Sequence, residues 1–334
     1  MFKNIPCICS RQRGDHNEDV RENEPERSAR APRPSAEECV APRSIADGAK
    51  HLVAFLRDAI QAHRTPIPAA PSIIQRLILD NADHHSPFRE LATARQRICR
   101  PHGPYASADL CHTRKGVFSI LVYRGIVFNS SAFRNLPEDE LQLTFESYAD
   151  WETYINKMQA HHPNRGDSFW CNPKAYGRNQ GKNRNLELAK SYWLYSATVE
   201  WRTQSAIIDI AKKLSKAAEA KQIGLLIGYM IAADLAYTGV VEMPEPEEIG
   251  KMVGQLMKGG ASGLWYLGLS PLEKATGDAF MDFLQNQFVA LYHAVDELLT
   301  AAEKEEMGWN PIVLEHALCK FKRAVKDGYP TLKV

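Results

Sequence analysis

From Ser44 onward, apolar residues recur at three- and four-residue spacing. Ser44 is placed to cap a helix over residues 45–63, in which Ala49, Leu52, Val53, Leu56 and Ile60 share one face. Pro66, Pro68 and Pro71 interrupt that pattern, and Ser72 then caps a second helix over 73–82, with Ile73, Ile74, Leu77 and Leu79 apolar. The pattern changes between Gly116 and Phe128. There Val117, Phe118, Ile120, Leu121, Val122 and Tyr123 are followed, across Arg124-Gly125, by Ile126, Val127 and Phe128. This predicts a short β-hairpin turning at Gly125. Pro137 suits the first position of a helix running to Met158, with Leu141, Phe145, Tyr148, Trp151 and Ile155 as its stripe.

Residues 161–184 hold Pro163, Gly166, Pro173, Gly177 and Gly181 among several asparagines, and read as a long loop. After Leu186 the pattern is helical throughout: 187–202, 206–218, 223–237, 246–258, 271–303 with an internal break, and 311–326. Pro244, Pro246, Gly259-Gly260, Pro271, Gly308 and Pro311 punctuate these segments. No internal repeat of fixed period is present. The expected fold is therefore mainly α, with two helical domains: 44–186, carrying the small β-hairpin and a basic loop, and 187–334, all helical. A tail over 1–43 precedes them. Its stretch from Ser10 to Arg43 is rich in Arg, Glu, Pro, Asn and Ser and is expected to be disordered, because it cannot bury enough apolar surface to offset its backbone entropy.

Composition changes this picture little. Of 334 residues, 44% are hydrophobic and 24% charged, as in an ordinary globular protein, and 41 Lys and Arg balance 40 Asp and Glu. Overall charge thus says nothing about partners. The seven cysteines are odd in number and scattered, with no secretory pattern before them, which points to free thiols in a reducing, intracellular setting. The apolar run from Ile223 to Ala236 is too short to span a membrane and contains Gly224, Gly228 and Asp234, so it reads as a buried core helix.

Three clusters invite a chemical reading. Cys99, His102, Cys111 and His112 are of types that zinc takes, but Cys111 and His112 are adjacent and no second regular dyad accompanies them. The run Asp80-Asn81-Ala82-Asp83-His84-His85 resembles a metal-binding stretch, yet it falls where a helix ends, and such residues commonly serve there as turn formers. Asp278 and Asp282 stand at i, i+4, without the second acidic cluster that a diphosphate-binding site would need. Nucleophile-elbow, phosphate-loop and zincin motifs do not occur. No catalytic residue, cofactor or metal is expected, and the protein is read as a non-enzyme.

Local charge is more telling. Between Lys157 and Arg202, eight basic residues (Lys157, Arg165, Lys174, Arg178, Lys182, Arg184, Lys190 and Arg202) face three acidic ones (Asp167, Glu187 and Glu200). Phe169, Trp170, Tyr176, Tyr192, Trp193 and Tyr195 interleave with them. Cations of this kind neutralise phosphates, and such rings can stack on bases without sequence preference. A merely basic surface loop whose aromatic residues are half core is the plainer account of the same residues.

Three further stretches are ordered in a familiar way. The apolar Ile227-Gly-Tyr-Met-Ile-Ala-Ala-Asp234 is followed by a polar, Pro-containing turn and an amphipathic segment with Ile249, Met252, Val253 and Leu256. Next comes Gly259-Gly260-Ala261-Ser262-Gly263-Leu264-Trp265-Tyr266-Leu267, and later Met307-Gly308-Trp309-Asn310-Pro311 leads through Phe321 to Tyr329-Pro330. This order resembles the C-terminal core of negative-strand RNA virus nucleoproteins of the paramyxovirus type, over about a third of the chain. The Phe321-to-Tyr329 gap is longer than in that family, and the match fits a shortened or endogenised relative. The resemblance implies a protein that coats single-stranded RNA in a basic cleft, polymerises into a nucleocapsid in the host cytoplasm or virion, and works with viral polymerase cofactor proteins. Together with the local charge it nominates Lys174, Arg178, Lys182, Arg184, Lys190, Arg202, Lys258, Tyr266 and Tyr329 as RNA contacts. Gly259, Gly260 and Gly263 would then let the backbone approach a phosphate, or else end a helix at Lys258 and turn the chain. The contrasting expectation is a helical scaffold or adaptor that binds proteins and no nucleic acid.

Overall fold

Local signals in the chain start most of the helices. A computed structural model describes residues 43–64, 69–165, 167–171, 184–271 and 277–330, with backbone alone for Asp167, Ser168 and Arg184; the expected tail, up to residue 42, lies outside the described residues. Ser44 accepts the Asp47 N–H at 3.1 Å and opens α1 (Ile45–Ile60), which continues into a 3₁₀ turn, Gln61–His63. Ser72 and Gln75 satisfy each other's backbone N–H groups in a capping box at the start of α2 (Ile73–Asp80). Asn81 caps the short α3 (Ala82–His85), and α4 (Thr93–Ile98), α5 (Ala108–His112) and α6 (Arg114–Val122) follow. The chain continues through α7 (Ser131–Asn135), α8 (Tyr148–His161), α9 (Asp167–Trp170) and α10 (Arg184–Ser196).

The remaining elements are α11 (Ile207–Lys216), α12 (Leu225–Tyr237), α13 (Pro246–Leu256), α14 (Gly259–Tyr266), α15 (Asp278–Leu298), α16 (Ala301–Met307) and α17 (Pro311–Lys326). Pro246 and Pro311 both take the first helical position, where a missing N–H costs nothing. The long α15 buries Leu284, Phe288, Leu291 and Val295 along one stripe against α13 and α1. α14 packs on α17, α11 on α12, and α6 on α10. All described residues belong to one compact unit, Glu38–Val334, and the position 186/187 lies inside α10.

The expected β-hairpin over Gly116–Phe128 is not formed, and no strand occurs among the described residues. Arg114–Val122 is α-helical and passes directly into a π-helical turn, Tyr123–Val127. Every residue from Gly116 to Val127 is buried. A segment enclosed on all sides needs no polar face, so its apolar run carries no period that separates strand from helix. Gly125 is not a turn residue either. A Cβ there would lie 2.3 Å from the Tyr192 hydroxyl, so this glycine lets α10 close onto the π turn.

The helix expected from Pro137 begins only at Tyr148, where Ser147 accepts the Asp150 N–H at 3.3 Å. Before it, Leu143 and Phe145 are both buried, two residues apart, which is the period of extended chain. The break expected between 271 and 303 falls at Leu299-Thr300. There Thr300 and Glu303 form a second capping box, with N–H to side-chain oxygen distances of 3.3 and 2.9 Å. Thr300→Ala is expected to cost about 1 kcal/mol, read as a lower urea midpoint at unchanged slope. A midpoint equal to the parent's would show that this cap is dispensable.

Candidate functional site

The nominated RNA contacts fall in two regions. Lys174, Arg178 and Lys182 lie outside the described residues, and Arg184 opens α10 with its side chain outside them. Lys190 is exposed on α10, which packs on α6 and α8, and Arg202 is exposed just beyond that helix. Lys258 is exposed at the N-cap of α14, and half-buried Tyr266 closes the same helix with its ring edge-on to Trp265 at 4.6 Å. Tyr329 is a packing residue: its ring meets Phe55 at 5.3 Å and Phe321 at 6.2 Å, which pins the chain after α17 onto α1.

The aromatic residues of the basic stretch are mostly core. Phe169, Trp170, Tyr192 and Tyr195 are buried, and Tyr176 lies outside the described residues. Half-buried Trp193 is covered by the guanidinium of Arg114, 3.8 Å from its ring centroid, which also donates to the Trp193 carbonyl. Two exposed cations that the sequence does not nominate join this region, Arg114 itself and Lys221. The second is brought in because the Tyr192 hydroxyl donates to the Lys221 carbonyl at 2.6 Å and Ser191 donates to the Glu219 carbonyl at 2.7 Å. Both bonds run from α10 to the turn after α11, beside Lys190.

Glycines 259, 260 and 263 do not turn the chain. α13 ends at Leu256, Met257 takes the left-handed position at φ +45°, and the glycines begin and build α14. Gly260 and Gly263 are buried against α17.

A cleft of about 1030 Å³ is lined by Lys115, Lys157, His161 and His162 but also by Glu138, Asp139, Glu140 and Glu146. Lys115 is held by Glu146 at 2.7 Å and His162 by Glu140 at 3.0 Å. With Lys115 paired to Glu146 and four carboxylates in its lining, this cleft repels a polyanion. Cys99, His102, Cys111 and His112 form no metal-ligating group of three among the described residues, nor do Asp278 and Asp282 with a third residue. Burial pushes the Cys99 and Cys111 thiols up to about 11 and about 12, so both are protonated at neutral pH.

The most heavily charged point of the interior is one that the sequence reading does not single out. Asp234 on α12 is fully buried, and three buried arginines converge on it. Arg89 donates to its Oδ1 at 2.6 and 3.1 Å, and Arg124, carried by the π turn, donates to Oδ2 through Nε at 2.9 Å and through Nη2. Arg95 Nη1 stands 3.5 Å from Oδ1, while its Nε donates to Glu90 at 2.6 Å. Burial opposes ionisation of Asp234, but the guanidinium groups of Arg124, Arg89 and Arg95 outweigh it and hold the carboxyl down at about 2. The cluster ties α12 to the turn before α4 and to the π turn after α6, and so joins distant parts of the chain. No protein-family model, curated protein or solved structure matches the chain.

Proposed function

We propose that the protein binds single-stranded RNA through its phosphates, without sequence preference, along the outer side of α10 and the basic segment that precedes it. The observation that carries this reading is the separation of charge from rings on α10. Leu188, Ala189, Tyr192 and Tyr195 are buried, whereas Lys190 is exposed. Arg114 donates to the Trp193 carbonyl of the same helix, Lys221 lies in the turn that the Tyr192 hydroxyl bonds, and Arg202 is exposed beyond the helix; Glu187, Glu200 and Glu219 are exposed as well. The cations face water where a phosphate chain can reach them, and four more basic residues, Lys174, Arg178, Lys182 and Arg184, lie in or next to the adjoining segment. Base stacking has no part in this reading, because Phe169, Trp170, Tyr192 and Tyr195 are used for packing. Affinity is then electrostatic, and copies of the protein assemble side by side along the strand.

Changing Lys174, Arg178, Lys182, Arg184, Lys190 and Arg202 together to Glu is expected to abolish RNA retention. For each phosphate left without its cation, the slope of log K against log salt falls by about 0.7 for a single strand. Fluorescence anisotropy with a labelled oligonucleotide across a salt series measures both. An unchanged slope in the variant removes this strip from the reading. Protein that purifies without nuclease treatment free of nucleic acid, and ignores the oligonucleotide at low salt, overturns RNA binding itself.

A further inference from the structure

The polar run Asp80–His85 does form a turn, but only part of it is used in doing so. Asn81 caps α3 by accepting the His84 N–H at 3.1 Å, and Asp83 accepts the Ala94 N–H at 2.7 Å. The two histidine rings take no part in these bonds. His85 is buried, yet its Nδ1 has no hydrogen-bond partner, and its Nε2 stands 3.8 Å from a carboxylate oxygen of Asp327, beyond hydrogen-bond length. Asp327 reaches this point from the end of α17, at the other end of the described chain. The rings of His84 and His85 are 4.6 Å apart in a T-shaped arrangement. One ligand atom from each of His84, His85 and Asp327 lies within 4.8 Å of the others, and among the described residues no other group of three His, Cys, Asp or Glu does so.

We propose that His84, His85 and Asp327 form a binding site for a divalent transition-metal ion of the zinc and cobalt class. Two imidazole nitrogens and one carboxylate suit such ions, whereas calcium and magnesium take oxygen ligands. Tetrahedral ligands at about 2.0–2.2 Å from an ion stand roughly 3.3–3.6 Å apart, so these atoms need to close by up to about 1.5 Å. Exposed His84 and Asp327, whose side chain is 45% exposed, have the rotational freedom to do this around the fixed His85. The fourth position is left to water.

Two cations also border the site. Lys320 Nζ donates to the carbonyls of Asp83 and His84 at 2.6 and 3.1 Å, and Arg323 donates to the His84 carbonyl at 3.1 Å. They clamp the histidine turn onto α17, which orients the ligands. They also repel a dication, so the expected affinity falls short of that of a structural zinc.

The test is a titration of the full chain with cobalt(II), read by visible absorption, followed by displacement with zinc. One cobalt per chain is expected, displaced by zinc and not by calcium. His84→Ala and Asp327→Asn alter exposed side chains, and each should weaken cobalt binding at least tenfold while leaving the metal-free urea midpoint in place. Absence of saturable binding at millimolar cobalt overturns the proposal. Equal affinity in the parent, both variants and their combination does so as well, because the ion would then be held elsewhere. Because no RNA is present, the result stands apart from the outcome of the RNA-binding experiment.

Discussion

Asp234→Asn should unfold the protein far more readily than its near-identical shape suggests, at a cost of about 3–5 kcal/mol. The side chain is fully buried, and the arginines that it holds are 4–6% exposed. Asparagine keeps the volume but removes the charge, leaving Arg89 and Arg124 with no anionic partner and Arg95 with only Glu90. Against a total stability of about 5–15 kcal/mol this is a large share. The effect should appear as a lower guanidinium midpoint at unchanged slope. Replacing all four groups by apolar residues of similar volume is expected to harm the protein less than Asp234→Asn alone, because no uncompensated charge stays inside.

The same group predicts a pH dependence of definite sign. The folded carboxyl sits at about 2 against an ordinary value of 3.8, so folding favours its ionised form. That contribution is fully present above about pH 4 and is lost as the pH falls toward 2. The parent should therefore lose more stability over this window than Asp234→Asn does. Parallel acid titrations of the two proteins would dismiss the cluster as a source of acid sensitivity.

Why the sequence shows some of this and hides the rest follows from particular residues. Helices begin where expected at Ser44, Ser72, Pro246 and Pro311, because a capping residue or a first-turn proline coincides there with an apolar stripe. α6 reads as a hairpin because total burial erases the period that tells helix from strand. The Asp234 cluster gathers Arg89, Arg95 and Arg124 from far upstream, and no local spacing marks such a meeting. One half of its signal is nonetheless visible. An aspartate inside an otherwise apolar helix implies a partner, since a lone buried carboxylate is too costly to keep. The split between rings and cations on α10 is also readable: Leu188, Ala189, Tyr192 and Tyr195 follow helical spacing, and Lys190 falls off their face. Likewise His84 and His85 are visible as a pair, while Asp327 joins them only once α17 has packed against α3.

Gly263→Ala sets two effects of opposite sign against each other, and packing is expected to win. In an isolated helix alanine is better than glycine by about 1 kcal/mol, and Gly263 lies within α14 at an ordinary helical φ. On propensity alone the variant would gain stability. A Cβ at this position, however, would lie 2.4 Å from the Leu318 carbonyl oxygen and 2.6 Å from its carbon, both in the backbone of α17. Backbone cannot rotate aside as a side chain does, so the two helices must separate, and overpacking of this kind costs about 1–3 kcal/mol or more. Gly259→Ala supplies the contrast. Its Cβ would meet Cys319 Sγ at 2.8 Å, which a rotamer change can move, and Cys319 Cβ at 3.0 Å, which needs a shift of a few tenths of an ångström, so its loss should be smaller. Urea midpoints should therefore fall steeply for Gly263→Ala and less for Gly259→Ala. On the proposed reading, RNA affinity measured on the folded fraction should survive both substitutions, since these glycines face α17 and not the α10 strip. If Gly263→Ala melts like the parent but loses RNA, the packing between α14 and α17 is looser than described and the RNA path runs over α14.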